Sequence, residues 1–314
     1  MALSKKTLKG EREFPKIFLS TQCAKVWEKK IMAVKLIIDS ASDISKKEAK
    51  KLGITMVPMT ISFGEEEFFD GVNLSTEEFY RKLTEGTFFP KTAQIPPFRF
   101  EETFKDATAD GSSVIVITLS SKLSGTYESA LTASKNFDGK VFVVDTVSVA
   151  TGERLLCYHA LKLIREGKSA QEVYDELQNI KGRVHIMAVL DTLEFLKKGG
   201  RISSAVAFVG GLLNLKPVVE LVGGEVKMVG KAMGLKKGVQ LLNSIVGNYG
   251  GIDFSMPYGV LWTGLDESIA DDYIKQSPSV FSEGQANKYI LGSTIGTHVG
   301  PGVVGVAFFS KEEQ

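Results

Sequence analysis

Ser113-Val114-Ile115-Val116-Ile117-Thr118-Leu119-Ser120-Ser121-Lys122-Leu123-Ser124-Gly125-Thr126-Tyr127 is the stretch whose reading decides the fold. Its first seven residues are a nearly unbroken apolar run, rich in β-branched side chains. That is the pattern of a strand buried on both faces of a parallel sheet. Ser120–Thr126 is a hydroxyl-rich turn, and a helix follows over Tyr127–Phe137. Lys140–Asp145 then reads as a second buried strand. Strand, turn, helix and strand in this order describe one unit of an open α/β sheet, and such sheets bind ligands beyond the carboxyl ends of their strands.

The same alternation extends in both directions. Toward the amino end, Val34–Ile38 is a first strand running into Asp39-Ser40, and Ser42–Ser45 can cap a helix over Lys46–Leu52. Ile54–Phe63 reads as a second extended run. Leu74–Leu83 reads as a helix with Ser75 at its N-cap and Glu78 three residues on. Phe88–Pro97 is a proline-stiffened loop, and Phe98–Ala109 a helix. Toward the carboxyl end, Ala150–Glu166 and Ala170–Ile180 read as helices. A new unit begins near Arg183. It has strands over Val184–Leu190, Pro217–Val222, Glu225–Val229, Tyr258–Thr263, Tyr289–Ser293 and Val303–Phe309. Its helices are expected over Thr192–Leu196, Ile202–Leu213, Leu235–Val246 and Glu267–Lys275. Gly223-Gly224 is a favoured hairpin turn. The expectation is two α/β domains, 32–182 with a mostly parallel sheet and helices on both faces, and 183–314 with a mixed sheet and helices. A ligand slot would lie between them.

Bulk properties narrow the classes. The chain has 314 residues, 43% apolar and 24% charged, with a net charge of +1. This length is a soft prior for two domains. Residues 1–31 hold eight Lys/Arg and three Glu, net +5, against 30 Lys/Arg and 34 Asp/Glu in the remainder, net −4. That extension lacks the apolar core of a signal peptide. It reads as a remnant of expression or an upstream start, expected to be disordered or an isolated helix. No clustered basic face argues for nucleic acid. Only Cys23 and Cys157 occur, and His159, His185 and His298 are scattered, so no metal-ligand spacing is present. Sparse thiols fit a reducing cytosol. No uninterrupted apolar run is long enough to span a bilayer. The expectation is a soluble cytoplasmic chain, whose membrane contact would at most be transient.

Four segments can carry chemistry. Ser120–Thr126 places hydroxyls where a helix begins, and the first amides of a helix attract anions; capping alone would also account for one of them. Pro90–Pro97 presents Thr92 and Gln94. Phe195–Ile202 contains Gly199-Gly200-Arg201, where glycines permit close backbone approach and Arg201 can pair an anion. Gly296–Gly302 carries His298 between a strand and a glycine-rich turn.

Taken together these segments resemble the DegV family, whose members include the fatty-acid-binding subunits of bacterial fatty acid kinase. The resemblance runs from Met32 to the C-terminus. It passes through Ile38–Asp43, Lys91–Gln94, Ser121–Tyr127, Gly199–Ile202 and Gly296–Gly302, in the family's order. It implies one long-chain fatty acid buried between two α/β domains, with no further cofactor. Carried over residue by residue, Thr92 and Ser124, with Gly125 beside it, contact the carboxylate, and His298 completes that network directly or through water. Arg201, near the mouth, serves the head group or the partner, a dihydroxyacetone-kinase-like fatty acid kinase subunit. The chain would then be a carrier rather than an enzyme. It departs from the family at Ala93, where a serine is common, and at Met233, where an arginine is common. Ile202–Leu215 is expected to wall the tail channel.

Two other functions compete. A serine hydrolase would use Ser124 as nucleophile, His298 as base and Asp39 to orient it, although no Gly-x-Ser-x-Gly elbow surrounds Ser124. A small anionic metabolite could replace the lipid if the cavity were short and polar-ended. The chain has no phosphate loop of its own.

Overall fold

The computed structural model describes residues 33–202, 214–283 and 285–311. The extension at 1–31 and most of the expected wall helix Ile202–Leu213 lie outside those residues. Strand β1 (Val34–Asp39) leads through a short 3-10 turn into helix α1 (Lys46–Leu52), capped by the Ser45 hydroxyl, which accepts from the amide of Glu48. β2 (Ile54–Val57), β6 (Ser113–Thr118) and β7 (Val141–Asp145) complete a four-stranded sheet of order β2-β1-β6-β7. Every pair in it is parallel. Helices α3 (Pro97–Thr108) and α4 (Thr126–Ser134) pack together on one face; α5 (Ala150–Arg165) and α6 (Ala170–Ile180) pack together on the other.

The extended run at Ile54–Phe63 is two strands, not one. Chain direction changes at Pro58-Met59, and β3 (Thr60–Phe63) leaves the parallel sheet. It joins β4 (Glu66–Phe69) and β5 (Lys91–Ala93) in a small antiparallel sheet of order β4-β3-β5. Neither β4 nor β5 is apparent from the sequence pattern, because β4 opens on two glutamates and β5 is only three residues long. Helix α2 (Thr76–Glu85) follows β4, with Ser75 accepting from the Glu78 amide.

The second half is a six-stranded mixed sheet of order β10-β9-β8-β13-β11-β12. Its strands are β8 (Val184–Val189), β9 (Leu215–Val222), β10 (Glu225–Met233), β11 (Gly259–Trp262), β12 (Asn287–Ile290) and β13 (Val304–Phe309). Only β11 and β12 run parallel. Helix α7 (Glu194–Lys198) follows β8, and α8 (Leu235–Asn248) and α9 (Ser268–Gln276) cover one face. Another correction falls at the end of β12. The expected strand Tyr289–Ser293 stops at Ile290, and Ser293–Val299 forms helix α10. His298 therefore stands on the last turn of a helix rather than on a strand-to-loop junction.

Period-two alternation divides the larger sheet cleanly. Met187, Val189, Val218, Val260, Val306 and Phe308 pack under α8 and α9. Ile186, Ala188, Val219, Leu261, Ala307 and Phe309 point the other way, into a core continuous with the parallel sheet. Helix α5 lies between the two sheets, touching β1 and β6 on one side and β8 and β13 on the other. That placement explains why so much of it is buried, from Ala150 to Leu163.

Candidate ligand site

The strand order of the parallel sheet reverses between β1 and β6, so a crevice opens beyond their carboxyl ends. Asp39, the last residue of β1, spans that crevice. One oxygen accepts from the amide of Ala41 at 2.8 Å, the other from that of Leu119 at 2.9 Å. The polypeptide then turns through Ser120–Gly125 into α4. Ser120 is not a helix cap: its hydroxyl donates to the carbonyl of Gly224, in the β9–β10 hairpin, at 2.8 Å. Ser124 accepts from the Thr126 amide and lies 3.0 Å from the Thr126 hydroxyl. Gly125 is needed by a close approach, since a Cβ there would stand 2.1 Å from Oε1 of Gln94.

Around this turn the chain lines a small, partly open cavity of about 60 Å³. Thr92, Gln94, Ser124, Arg201, Thr294 and His298 supply its polar wall. Of the sequence-expected residues, Thr92, Ser124, Arg201 and His298 line one space, while Gly125 stands behind it, shaping Gln94. Thr92 reaches in because its strand partner Ile61 is fully buried and the two share a face. Thr294 carries no mark in the sequence; nothing in its neighbourhood singles it out before α10 is known to exist.

His298 is the centre of the polar wall. Its Nε2 lies 2.8 Å from the Thr92 hydroxyl. Its Nδ1 is buried with no partner, pressed against Gly199, where a Cβ would come within 2.2 Å. Burial, and then the Arg201 guanidinium, push the imidazole down to about 4, so the ring is neutral near pH 7. A proton on Nδ1 would be a buried donor without an acceptor, so the proton belongs on Nε2. Thr92 then accepts from the ring, and its own hydroxyl hydrogen is free to donate into the cavity. Arg201 is already engaged: Nε donates to the carbonyl of Leu123 at 3.1 Å and Nη1 to that of Gly199 at 2.6 Å. It ties the Ser124 turn to the backbone behind His298.

The expected triad of a hydrolase is not assembled. His298 bonds Thr92 rather than Ser124, and both oxygens of Asp39 are taken by backbone amides.

A second set of buried acids supports the site from behind. Asp43 accepts from the Gly292 amide at 2.7 Å, and Asp70 from the amide and hydroxyl of Thr294 at 3.3 and 2.5 Å. The Tyr80 hydroxyl donates to the carbonyl of Leu291 at 3.0 Å. Two carboxyls at the amino end of α10 accept from the backbone amides there and set the position of His298 at the other end of the helix. Burial raises both. Glu153, on α5, is fully buried with neither oxygen partnered; burial and then the nearby Asp39 push it well above the usual range, and Asp39 itself is raised to about 7. The Asp-Ser-Ala-Ser-Asp run makes Asp39 and Asp43 visible in the sequence. Asp70 and Glu153 carry no local signal. Among the described residues, no group of three His, Cys, Asp or Glu is placed to hold a metal ion, and no helix is long and apolar enough to cross a membrane.

A second cavity of about 70 Å³ adjoins the first, lined almost wholly by aliphatic side chains of α5, α10 and the inner face of the larger sheet. This combination defines a class: an α/β protein with a slot between two sheets, polar and hydroxyl-lined at one end and apolar at the other. The chain belongs to the DegV family, whose model, described as "Uncharacterised protein, DegV family", matches residues 33–311. A DegV domain-containing protein of Caldanaerobacter subterraneus subsp. tengcongensis is 34% identical over 283 residues, covering 88% of this chain and 99% of that protein. Among solved structures, a DegV family protein from Thermus thermophilus, described by its fatty acid binding, superposes with a TM-score of 0.79 at 32% identity. The match covers 89% of this chain and all of that one. DegV from Bacillus subtilis, described as a fatty acid binding protein, gives a TM-score of 0.77 at 26% identity, with 89% and 100% covered.

Proposed function

We propose that this chain binds one long-chain fatty acid, with its carboxylate against Thr92 and Ser124 and its tail in the apolar cavity. It presents that carboxylate to a separate, dihydroxyacetone-kinase-like kinase that forms the acyl phosphate. The observation that carries the reading is the pairing of a donor-rich head pocket, which holds the Arg201 cation and a neutral His298, with an aliphatic chamber beside it. A buried carboxylate must be hydrogen-bonded, and here Thr92 keeps a free donor because the neutral His298 supplies the other half of their bond. A tail contributes about 0.8 kcal/mol per buried methylene, so roughly ten methylenes supply about 8 kcal/mol before ordering costs. The Thermus and Bacillus relatives, described as binding fatty acids, support the same ligand class. The aliphatic chamber argues against a small polar metabolite, and the position of His298 against a serine hydrolase.

The test is organic extraction of the purified protein followed by mass spectrometry, then incubation of the loaded protein with ATP and a fatty acid kinase catalytic subunit. Near-stoichiometric fatty acid and kinase-dependent acyl phosphate are expected. An empty extract with no uptake of added acid overturns the binding role. A loaded protein that the kinase never phosphorylates overturns the presentation role alone.

A further inference from the structure

The outer and inner cavities have five wall residues in common: Val149, Leu196, Val226, Ile295 and Val299. All five are branched aliphatics, and they form a neck between a polar vestibule and an apolar chamber. Glu220 borders the chamber only through its position on β9. Its carboxylate belongs to the far face of the sheet, 3.6 Å from His185, whose ring stacks on Phe308.

The floor of the chamber is the inner face of the larger sheet, and at its centre that face is low. Ala188 of β8 pairs across to Gly305 on one side and Val219 on the other. Its neighbours on the same face, Ile186 and, just past the strand end, Leu190, both border the chamber and are three carbons larger. At Gly305 a Cβ would meet the Met187 carbonyl at 2.2 Å and the Ala188 Cβ at 2.7 Å, so this dent cannot be filled from β13. Leu261 of β11 closes the chamber beyond it.

One wall is held rigidly. Val147 and Ala150 have φ of 51° and 56° in the segment joining β7 to α5. A β-branched residue at positive φ is strained and persists only where its surroundings enforce it. Here they do. Asp145 accepts from the amides of Val147 and Ser121 at 2.9 and 3.2 Å, the Thr146 hydroxyl donates to the Thr118 carbonyl at 2.8 Å, and the Ser120 amide donates to the Ser148 carbonyl at 2.7 Å. The bonds that fix this wall end on the Ser120–Ser124 turn. Head pocket and tail wall are thus one braced unit, with a set distance between them.

We infer that the inner chamber measures acyl length, with Ala188 as the specificity-determining residue at its floor; this deepens the fatty-acid reading and rests on it. A head group fixed at Thr92 and Ser124 lets only tails beyond a certain length pass the neck. Each methylene admitted improves affinity roughly fourfold until the chamber is full. A braced wall makes the cut-off sharp, because it does not yield to a longer tail.

The experiment titrates delipidated full-length protein with straight-chain saturated acids from decanoate to stearate, for wild type, Ala188→Phe and Leu261→Ala. Wild-type affinity is expected to rise with length and then level off. In Ala188→Phe the plateau comes at a shorter acid, with stearate weakened by about tenfold or more and decanoate within about threefold. In Leu261→Ala the plateau moves to a longer acid, a gain that misfolding cannot mimic, so this variant decides the matter if Ala188→Phe does not fold. Plateaus that coincide in wild type and Leu261→Ala overturn the ruler and leave the binding reading standing. A wild type that takes up none of the acids overturns the binding reading, and the ruler with it.

Discussion

Gly199→Ala adds one methyl group at the point where the backbone presses on His298. Gly199 has φ −76° and ψ −9°, ordinary right-handed values, so alanine fits the backbone without strain. The whole effect is therefore steric and local. The new Cβ would stand 2.2 Å from Nδ1 and 3.0 Å from the adjacent ring carbon, and the separation from Nδ1 must grow to at least 3.0 Å. The ring cannot retreat along that line, because its other nitrogen already lies 2.8 Å from the Thr92 hydroxyl. It has to swing away, which breaks that bond and leaves Thr92 undirected. A hydrogen bond of this kind contributes about 0.5–1.5 kcal/mol, so affinity for palmitate should fall by up to roughly tenfold. Isothermal titration measures it directly, alongside the ¹⁵N resonances of the imidazole. Gly247→Ala is the control: it sits in α8 with nothing within 4 Å of the added Cβ, and should bind as wild type does. Palmitate affinity within about twofold of wild type in Gly199→Ala, with the imidazole resonances unmoved, refutes the idea that the His298–Thr92 pair directs a donor at the carboxylate.

Two further predictions concern titration. Glu153 is raised in the folded state, so between its unfolded value of 4.5 and its folded value the unfolded chain releases a proton that the folded chain keeps, and stability falls as pH rises. Glu153→Gln removes that loss; the melting temperature of the variant relative to wild type should climb from pH 5 to pH 8, with a limiting slope of about 1.4 kcal/mol per pH unit, and a constant difference would show that Glu153 ionises normally. Arg201→Met removes the cation that helps hold His298 near 4 and frees the carbonyls of Leu123 and Gly199. The His298 titration followed by NMR should move upward, and an unchanged midpoint would leave burial as the whole cause.

Much of this architecture is legible in the sequence because the relevant physics is local. A strand buried on both faces is written as Val114-Ile115-Val116-Ile117, and Lys46–Leu52 and Ala170–Ile180 begin and end where their caps and periodicity place them. The hydroxyl turn after β6 follows the same logic, since strand-to-helix junctions in open sheets are where ligands meet backbone amides. Thr92, Ser124, Arg201 and His298 can be singled out one at a time from resemblance and residue type. What no local pattern contains is that residues 206 positions apart, Thr92 and His298, share a hydrogen bond. Nor does it contain the grip of Asp43 and Asp70 on a helix more than 220 residues further along the chain. The antiparallel β4 escapes a sequence reading because it opens on two glutamates and buries none of its four residues fully, and α10 because seven residues are too few to show a helical period. The state of His298 is likewise a product of the tertiary fold: the side chain alone titrates near 6.5, and burial beside Arg201 lowers it to about 4, which keeps the ring neutral well below pH 6.5 too. Element type depends on neighbours a few residues away and so survives in one dimension. Which groups are deprived of water, and beside which charges, depends on how the two sheets close on α5, and that is decided only in three.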